Sequence, residues 1–266
     1  MPISHSQDGV GPHCRTVADA AAVLGGIVSK TTDPRGPATS TNRNKVFTDY
    51  TQFLDTNGLK GARIGIARAG MSGFSDETNA IFAAAVAAIK DPKVGAIVFD
   101  PVDIPSAGPD QSVHGQRDHA GAEYEAALAQ ERLIGGPQRI DAALASHNLD
   151  ALVSPTGSPA WTTDVVNGDH FLGASSSPAA IAGYPSISVP AGDAFGLPVG
   201  ISFIGTAFSE PKLIKLANGF EAVTKARKVP QFLPALPDEN PGGRRRAPPS
   251  PRRATGTASR RGLGRR

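Results

Sequence analysis

The chain has 266 residues, of which 39% are hydrophobic and 6% aromatic, and its formal net charge is +3. That is enough apolar material for one sizeable core, and no apolar run reaches the length needed to span a bilayer. A single cysteine, Cys14, excludes an intrachain disulfide framework and, with no signal peptide recognisable after Met1, favours the reducing cytoplasm.

The positive charge is concentrated at the C-terminal end. Residues 241–266 contain nine of the 27 Lys and Arg residues and no acidic residue, so 18 basic and 24 acidic residues remain and residues 1–240 carry −6. The body therefore offers no charge-based reason to bind nucleic acid. Because Arg, Pro and Gly bury little apolar surface, we expect a disordered tail over 237–266 and one folded unit over 1–236.

Helices and short strands alternate along the chain. After an irregular start broken by glycine and proline, apolar residues at helical spacing predict a helix over 16–28, and Ser75 is a suitable N-cap for another that ends near Lys90. Further helices are predicted over 121–134, 138–147 and 211–227. Short apolar or alternating runs predict strands over 62–67, 96–99, 151–153, 187–189 and 199–204. This order indicates an α/β fold with a mixed sheet flanked by helices.

Several stretches resemble one known family. The longest are GASSSPAAIAGYPSISVPAG (173–192) and GLPVGISFIG (196–205), and the others are PISHSQD (2–8), RTVADA (15–20), LKGARIGIAR (59–68), NLDALVSPTGSPAW (148–161) and FLPAL (232–236). Together they resemble the amidase-signature family over roughly residues 1–236. The resemblance implies an α/β/α fold that is incomplete at its N-terminal side, and residues 101–119 are shorter than the helical insertion usual in the family.

The resemblance also implies a function. Members of the family hydrolyse carboxylic amides with a Ser–cis-Ser–Lys triad and no cofactor, and the motifs that carry the triad precede the segment similar to residues 1–10. We therefore expect no catalytic residue in this chain and a truncated, inactive fragment as it stands. A small-molecule amide would be its substrate only if an upstream segment completed the site. The alternative is a non-enzymatic, degenerate scaffold whose basic tail binds nucleic acid or acidic surfaces non-specifically.

Four residues are weak candidates for the substrate pocket or its surroundings. Asp8 lies in a Ser-x-Asp element followed by Gly-Pro, which resembles the region packed behind the family's nucleophile; a turn carboxylate is the competing interpretation. Gly173, Ser175 and Ser176 lie at a helix start that resembles the substrate-facing wall of relatives. Pro178 makes simple helix capping the competing interpretation there.

Other chemistry has weaker support. Ser209 and Lys212 form a Ser-x-x-Lys pattern, but Ser209 at a helix start is more typical of a cap, with Lys212 in solvent. Cys14 precedes Arg15, yet a lone cysteine usually packs as a small residue. His114 and His119 have a poor spacing for zinc, so no metal is predicted. Elements missing upstream would leave apolar surface uncovered, from which we expect self-association.

Overall fold

A computed structural model describes residues 9–29, 31–32, 39, 45–105 and 121–230. The predictions for Asp8, for the two histidines at 114 and 119, for the FLPAL segment and for the basic tail lie outside these residues.

Among the described residues, the core of the fold is a five-stranded mixed sheet, whose order is β2-β1-β3-β5-β4. β1 pairs in parallel with both β2 and β3, while β5 pairs antiparallel with β3 and β4. The strands are β1 Arg63–Ile66, β2 Ile97–Phe99, β3 Ala151–Pro155, β4 Ser186–Ala194 and β5 Leu197–Ile204. All five predicted strands therefore lie in one sheet, and the predicted mixed α/β architecture is confirmed.

Six α-helices surround the sheet in the part of the chain described. They are α1 Val17–Ile27, α2 Asp76–Lys90, α3 Ala122–Gly135, α4 Ala142–Ser146, α5 Ser177–Ala182 and α6 Glu210–Thr224. A short 3₁₀ turn, Thr51–Phe53, precedes β1. The sequence predicted two separate helices where α3 and α4 lie, but a wide π-type turn, Gly136–Asp141, joins them without a loop.

Capping side chains and a glycine define the ends of several helices. Ser75 is the N-cap of α2, since its Oγ accepts a hydrogen bond from the Thr78 N–H at 3.1 Å. Thr16 does the same for α1 through the Asp19 N–H at 3.0 Å. α5 ends at Ala182, and the next residue, Gly183, has a φ of +69°, the left-handed conformation that favours glycine after a helix C-terminus.

The sheet separates two apolar clusters. On one face α1, α2 and α6 pack over a core that includes Phe82, Phe203 and Phe220. On the other face the π-type turn, α4 and α5 cover a smaller core around Leu152 and Ile204. The result is a helix–sheet–helix arrangement of three layers.

β4 runs further than the predicted strand. The predicted strand ended at Val189, yet β4 continues past Pro190 with a register shift between Pro190 and Gly192. Proline is tolerated in an edge strand, where part of the backbone faces away from the partner. A two-residue turn at Phe195 and Gly196, both with positive φ, then leads into β5.

Candidate functional site

A row of hydroxyl side chains crosses three neighbouring strands. Ser154 on β3 lies opposite Ser202 on β5, which lies opposite Ser188 on β4. Thr156 follows β3 two residues after Ser154. Because side chains alternate along a strand, these hydroxyls share the face that carries Leu152 and Ile204. We call Ser154, Thr156, Ser188 and Ser202 the hydroxyl cluster.

Three members of the cluster form a closed set of hydrogen bonds. Thr156 Oγ1 lies 2.9 Å from Ser202 Oγ and 3.3 Å from Ser188 Oγ, and the two serine oxygens are 3.0 Å apart. Ser154 Oγ is buried and has no hydrogen-bonding partner among the described protein atoms. A buried hydroxyl left without a partner costs about 1–3 kcal/mol, so stability alone does not explain this serine.

One predicted pocket residue, Ser175, contacts the cluster directly, and Gly173 lies two residues before it, bonded to Ser158. The Ser175 N–H donates to the Thr156 carbonyl at 3.1 Å, and the Ser158 N–H donates to the Gly173 carbonyl at 3.3 Å. Ser175 is buried, and its hydroxyl lies 3.5 Å from the same Thr156 carbonyl. Helix α5 and the end of β3 are thereby joined at this point.

Gly173 is at a position that requires glycine. Its φ is +131°, and a Cβ added there would collide with the ring of Phe74. The ring of Phe74 packs closely against Gly173, in the segment that reaches the hydroxyl cluster through Ser175.

Ser176 does not join this group. It is exposed and precedes α5, and its side chain makes no cap hydrogen bond. The capping interpretation for this helix start is wrong for Ser176, whose helical backbone (φ −75°, ψ −27°) differs from the extended conformation of a capping serine.

The hydroxyl cluster is suited to binding a ligand rather than to nucleophilic catalysis. Within the described residues, the side-chain hydrogen bonds of Thr156, Ser188 and Ser202 all join one hydroxyl to another, so none of these three is bonded to a base that would activate it. Rotatable hydroxyls can each donate and accept, which suits them to both the N–H and the C=O of an amide.

The Ser-x-x-Lys pattern is not a catalytic pair. Lys212 is exposed, as predicted, and its Nζ binds Asp150 Oδ1 at 2.8 Å, whereas Ser209 Oγ is buried and has no partner among the described atoms. The cap predicted for Ser209 is wrong. Ser209 has φ −93° and ψ 12°, outside the extended region from which a serine reaches the N–H groups of the first helical turn.

A cavity of about 550 Å³ lies between the 10–16 segment, α1, β4 and α6. Cys14 lies on its wall and is exposed, as a free thiol. Glu210 also lines it, and burial raises the pKa of this carboxyl.

No group of three His, Cys, Asp or Glu side chains that could hold a metal ion occurs in the ranges that the structure describes. Within the same ranges, no helix has both the length and the apolar composition of a membrane span.

Sequence reasoning missed Ser154, Thr156, Ser188 and Ser202. Their signal was present as two alternating hydroxyl pairs, Ser-x-Thr at 154–156 and Ser-x-Ser at 186–188, in or next to predicted strands. Nothing in the linear sequence indicated that these strands lie two positions apart in the sheet.

Comparisons with known proteins agree with this architecture. Residues 110–214 match the family model Amidase. The chain is 33% identical over 279 residues to a "Probable amidase" of Arabidopsis thaliana, a match that covers 88% of the chain and 52% of that relative. It is 28% identical over 311 residues to a "Putative amidase" of Arthroderma benhamiae, covering 88% of the chain and 49% of that protein.

Among solved structures, the native peptide amidase of Stenotrophomonas maltophilia superimposes with a TM-score of 0.71 at 36% identity. The match covers 87% of the chain and 56% of the peptide amidase. The chain thus spans about half the length of these curated relatives, 52% of the first and 49% of the second.

Proposed function

The chain belongs to the amidase-signature family, and from this we propose that it serves in the hydrolysis of carboxylic amide C–N bonds as the substrate-side part of the site. The observation that carries the proposal is the hydroxyl cluster, which adjoins Gly173 and Ser175. The family resemblance assigns the nucleophile, the cis-serine and the lysine to motifs that do not occur within these 266 residues.

In this proposal the hydroxyl cluster orients an amide. Thr156 donates to Ser188, and each of these two hydroxyls also shares a hydrogen bond with Ser202, so each retains an acceptor lone pair for the N–H of an amide. A serine hydroxyl supplied by the triad segment would attack the amide carbonyl carbon and form an ester, while its proton passes to the leaving nitrogen as the C–N bond breaks. Water would then hydrolyse the ester, releasing the carboxylic acid and restoring the serine. A reducing cytoplasmic setting is part of the proposal, because the single thiol is unpaired and exposed.

The experiment compares the chain alone with the chain mixed with a triad-bearing N-terminal half of a family member. We expect no release of ammonia from simple aliphatic or aryl amides by the chain alone, because losing a serine nucleophile costs on the order of a millionfold in turnover. Complementation should restore hydrolysis, and Thr156→Val should lower kcat/KM about fivefold by removing hydrogen bonds worth about 1 kcal/mol.

Ser209→Ala is the matched control, because Ser209 Oγ contacts no other hydroxyl of the site and its loss should leave kcat/KM unchanged. Turnover by the purified chain alone that disappears on Ser209→Ala or Cys14→Ala would contradict the proposal and relocate the chemistry. The alternative function, a degenerate scaffold whose basic tail binds nucleic acid or acidic surfaces, depends on residues outside the described part of the chain and stays a prediction.

A further inference from the structure

A long loop leaves the hydroxyl cluster and returns to it. Residues 158–173 connect β3 to α5, and their two ends are held together by an antiparallel bridge between Gly157 and Ala174. The Ser158 N–H donates to the Gly173 carbonyl at 3.3 Å, which closes the base of the loop. Loops with adjoining ends of this kind are frequently functional.

An aromatic pair joins the two limbs of this loop just above its base. The rings of Trp161 and Phe171 have centroids 5.7 Å apart and meet edge to face at 65°. Both remain accessible, since Trp161 is 41% exposed and Phe171 is 62% exposed. Edge-to-face contact fixes the two rings relative to each other without burying them.

The tip of the loop is held by its own polar contacts. The Asp164 carboxylate accepts hydrogen bonds from the N–H groups of Val166 and Asn167, each at 2.9 Å, and the Gly168 N–H donates to the Asp164 carbonyl at 3.0 Å. This turn holds Val165 and Val166 in solvent, 93% and 86% exposed. The exposed apolar side chains therefore occupy a loop with defined internal geometry.

The exposed rings belong to a loop whose base adjoins Thr156 of the hydroxyl cluster. An exposed apolar surface near a polar site is the arrangement expected of a ligand-binding surface. The charge of the loop restricts the class of ligand. Asp164 and Asp169 are acidic, His170 is the other titratable side chain, and there is no Lys or Arg between positions 158 and 173. A carboxylate would be repelled there, whereas a neutral apolar group would not.

We propose that Trp161 and Phe171 bind the apolar, preferably aromatic, part of a neutral amide whose C–N group lies at the hydroxyl cluster. The position of the amide group rests on the proposed function; the apolar contact does not. The loop therefore selects aryl or arylalkyl amides over small aliphatic amides and over the corresponding acids.

Trp161 is the only tryptophan in the chain, so the intrinsic tryptophan fluorescence of the 266-residue protein reports on this loop alone. Phenylacetamide, acetamide and phenylacetate are titrated separately. We expect a saturable change in emission with phenylacetamide. Acetamide should need an at least about tenfold higher concentration for the same change, and phenylacetate should give no saturable change. Phe171→Ala should weaken phenylacetamide binding about tenfold, and Val229→Thr, at an exposed apolar residue outside the loop, should leave it unchanged.

Several results would overturn the inference: no saturable change up to the solubility limit of phenylacetamide, equal affinity in the Phe171→Ala protein, or a blue shift that follows protein concentration without ligand. The last would place the two rings against a second copy of the chain. A different result is expected if the proposed function is wrong and the apolar contact is right. Phenylacetamide would then still bind, but Thr156→Val would leave its affinity unchanged. Complemented hydrolysis that does not discriminate between phenylacetamide and acetamide would preserve the function and refute the selectivity.

Discussion

Asp100, immediately after β2, links two cationic side chains from neighbouring elements. Its carboxylate accepts hydrogen bonds from Arg68 at 2.6 and 2.9 Å and from Lys90 at 2.8 Å. The hydrogen bonds from Arg68, and then that from Lys90, lower the pKa of this carboxyl to about 2, although partial burial acts in the opposite direction. The group is therefore ionised in the folded protein well below the ordinary range.

A folded pKa below the unfolded value of 3.8 makes a stabilising contribution that is fully present above about pH 4 and is lost as the pH falls towards 2. We predict that Asp100→Asn lowers the free energy of unfolding at neutral pH by on the order of 1 kcal/mol, since both cations are nearly half exposed and solvent screens the pair. The difference between variant and parent should shrink as the pH falls towards 2 and disappear below it.

Urea unfolding at several pH values measures this difference, with Asp103→Asn, an exposed carboxylate on the following segment, as the control. If the parent and Asp100→Asn proteins lost stability in parallel between about pH 4 and pH 2, Asp100 would not be the titrating group.

Gly173 permits a test that separates two costs at one residue. Gly173→Ala should destabilise the protein by about 1–3 kcal/mol, because alanine is strained at φ +131° and its Cβ would collide with Phe74. In the Phe74→Ala background the collision is removed but the backbone strain stays, so the penalty should shrink without disappearing. A thermal melt of the four proteins of this cycle measures both parts, and an undiminished penalty in the Phe74→Ala background would exclude the collision.

At the scale of elements, two serines at helix starts differ in what they contribute. Ser75 caps α2 through the Thr78 N–H, so Ser75→Ala should cost about 1 kcal/mol. Ser209 precedes α6 but buries a hydroxyl that has no partner among the described atoms, so Ser209→Ala should be neutral or stabilising. Denaturant unfolding of the Ser75→Ala and Ser209→Ala proteins measures the two changes in the free energy of unfolding. Equal losses of stability would mean that Ser209 caps its helix in solution.

For the whole molecule, β4 lies at the edge of the described sheet, next to the cavity between α1 and α6. Unpaired edges and open apolar cavities promote association with other chains. We therefore predict concentration-dependent self-association, reduced by Ser186→Lys, which places a charge at the exposed start of β4.

Light scattering after size-exclusion chromatography measures this effect. Gln138→Lys adds the same charge at an exposed position outside the sheet and serves as the control. A chain that stays monomeric over the whole concentration range and binds no hydrophobic dye would contradict the prediction.

The sequence alone determined the features that depend on nearby residues. Apolar spacing located all five strands, the Ser75 cap placed the start of α2, and strings such as GYPSISVPAG carried the family resemblance. These signals are readable because helix caps and side-chain periodicity act over a few residues. The same local reasoning mistook Ser209 for a cap and ended β4 at a proline, because both outcomes depend on what lies beside them in the fold.

Only the tertiary structure decided which distant residues meet. Thr156, Ser188 and Ser202 form one cluster because β5 pairs with β3 on one side and β4 on the other. Lys212 binds Asp150 rather than Ser209 for a similar reason: side chains one turn apart can each find better partners on other elements. Strand order and side-chain pairing minimise the free energy of the whole chain, and no local pattern encodes that minimum.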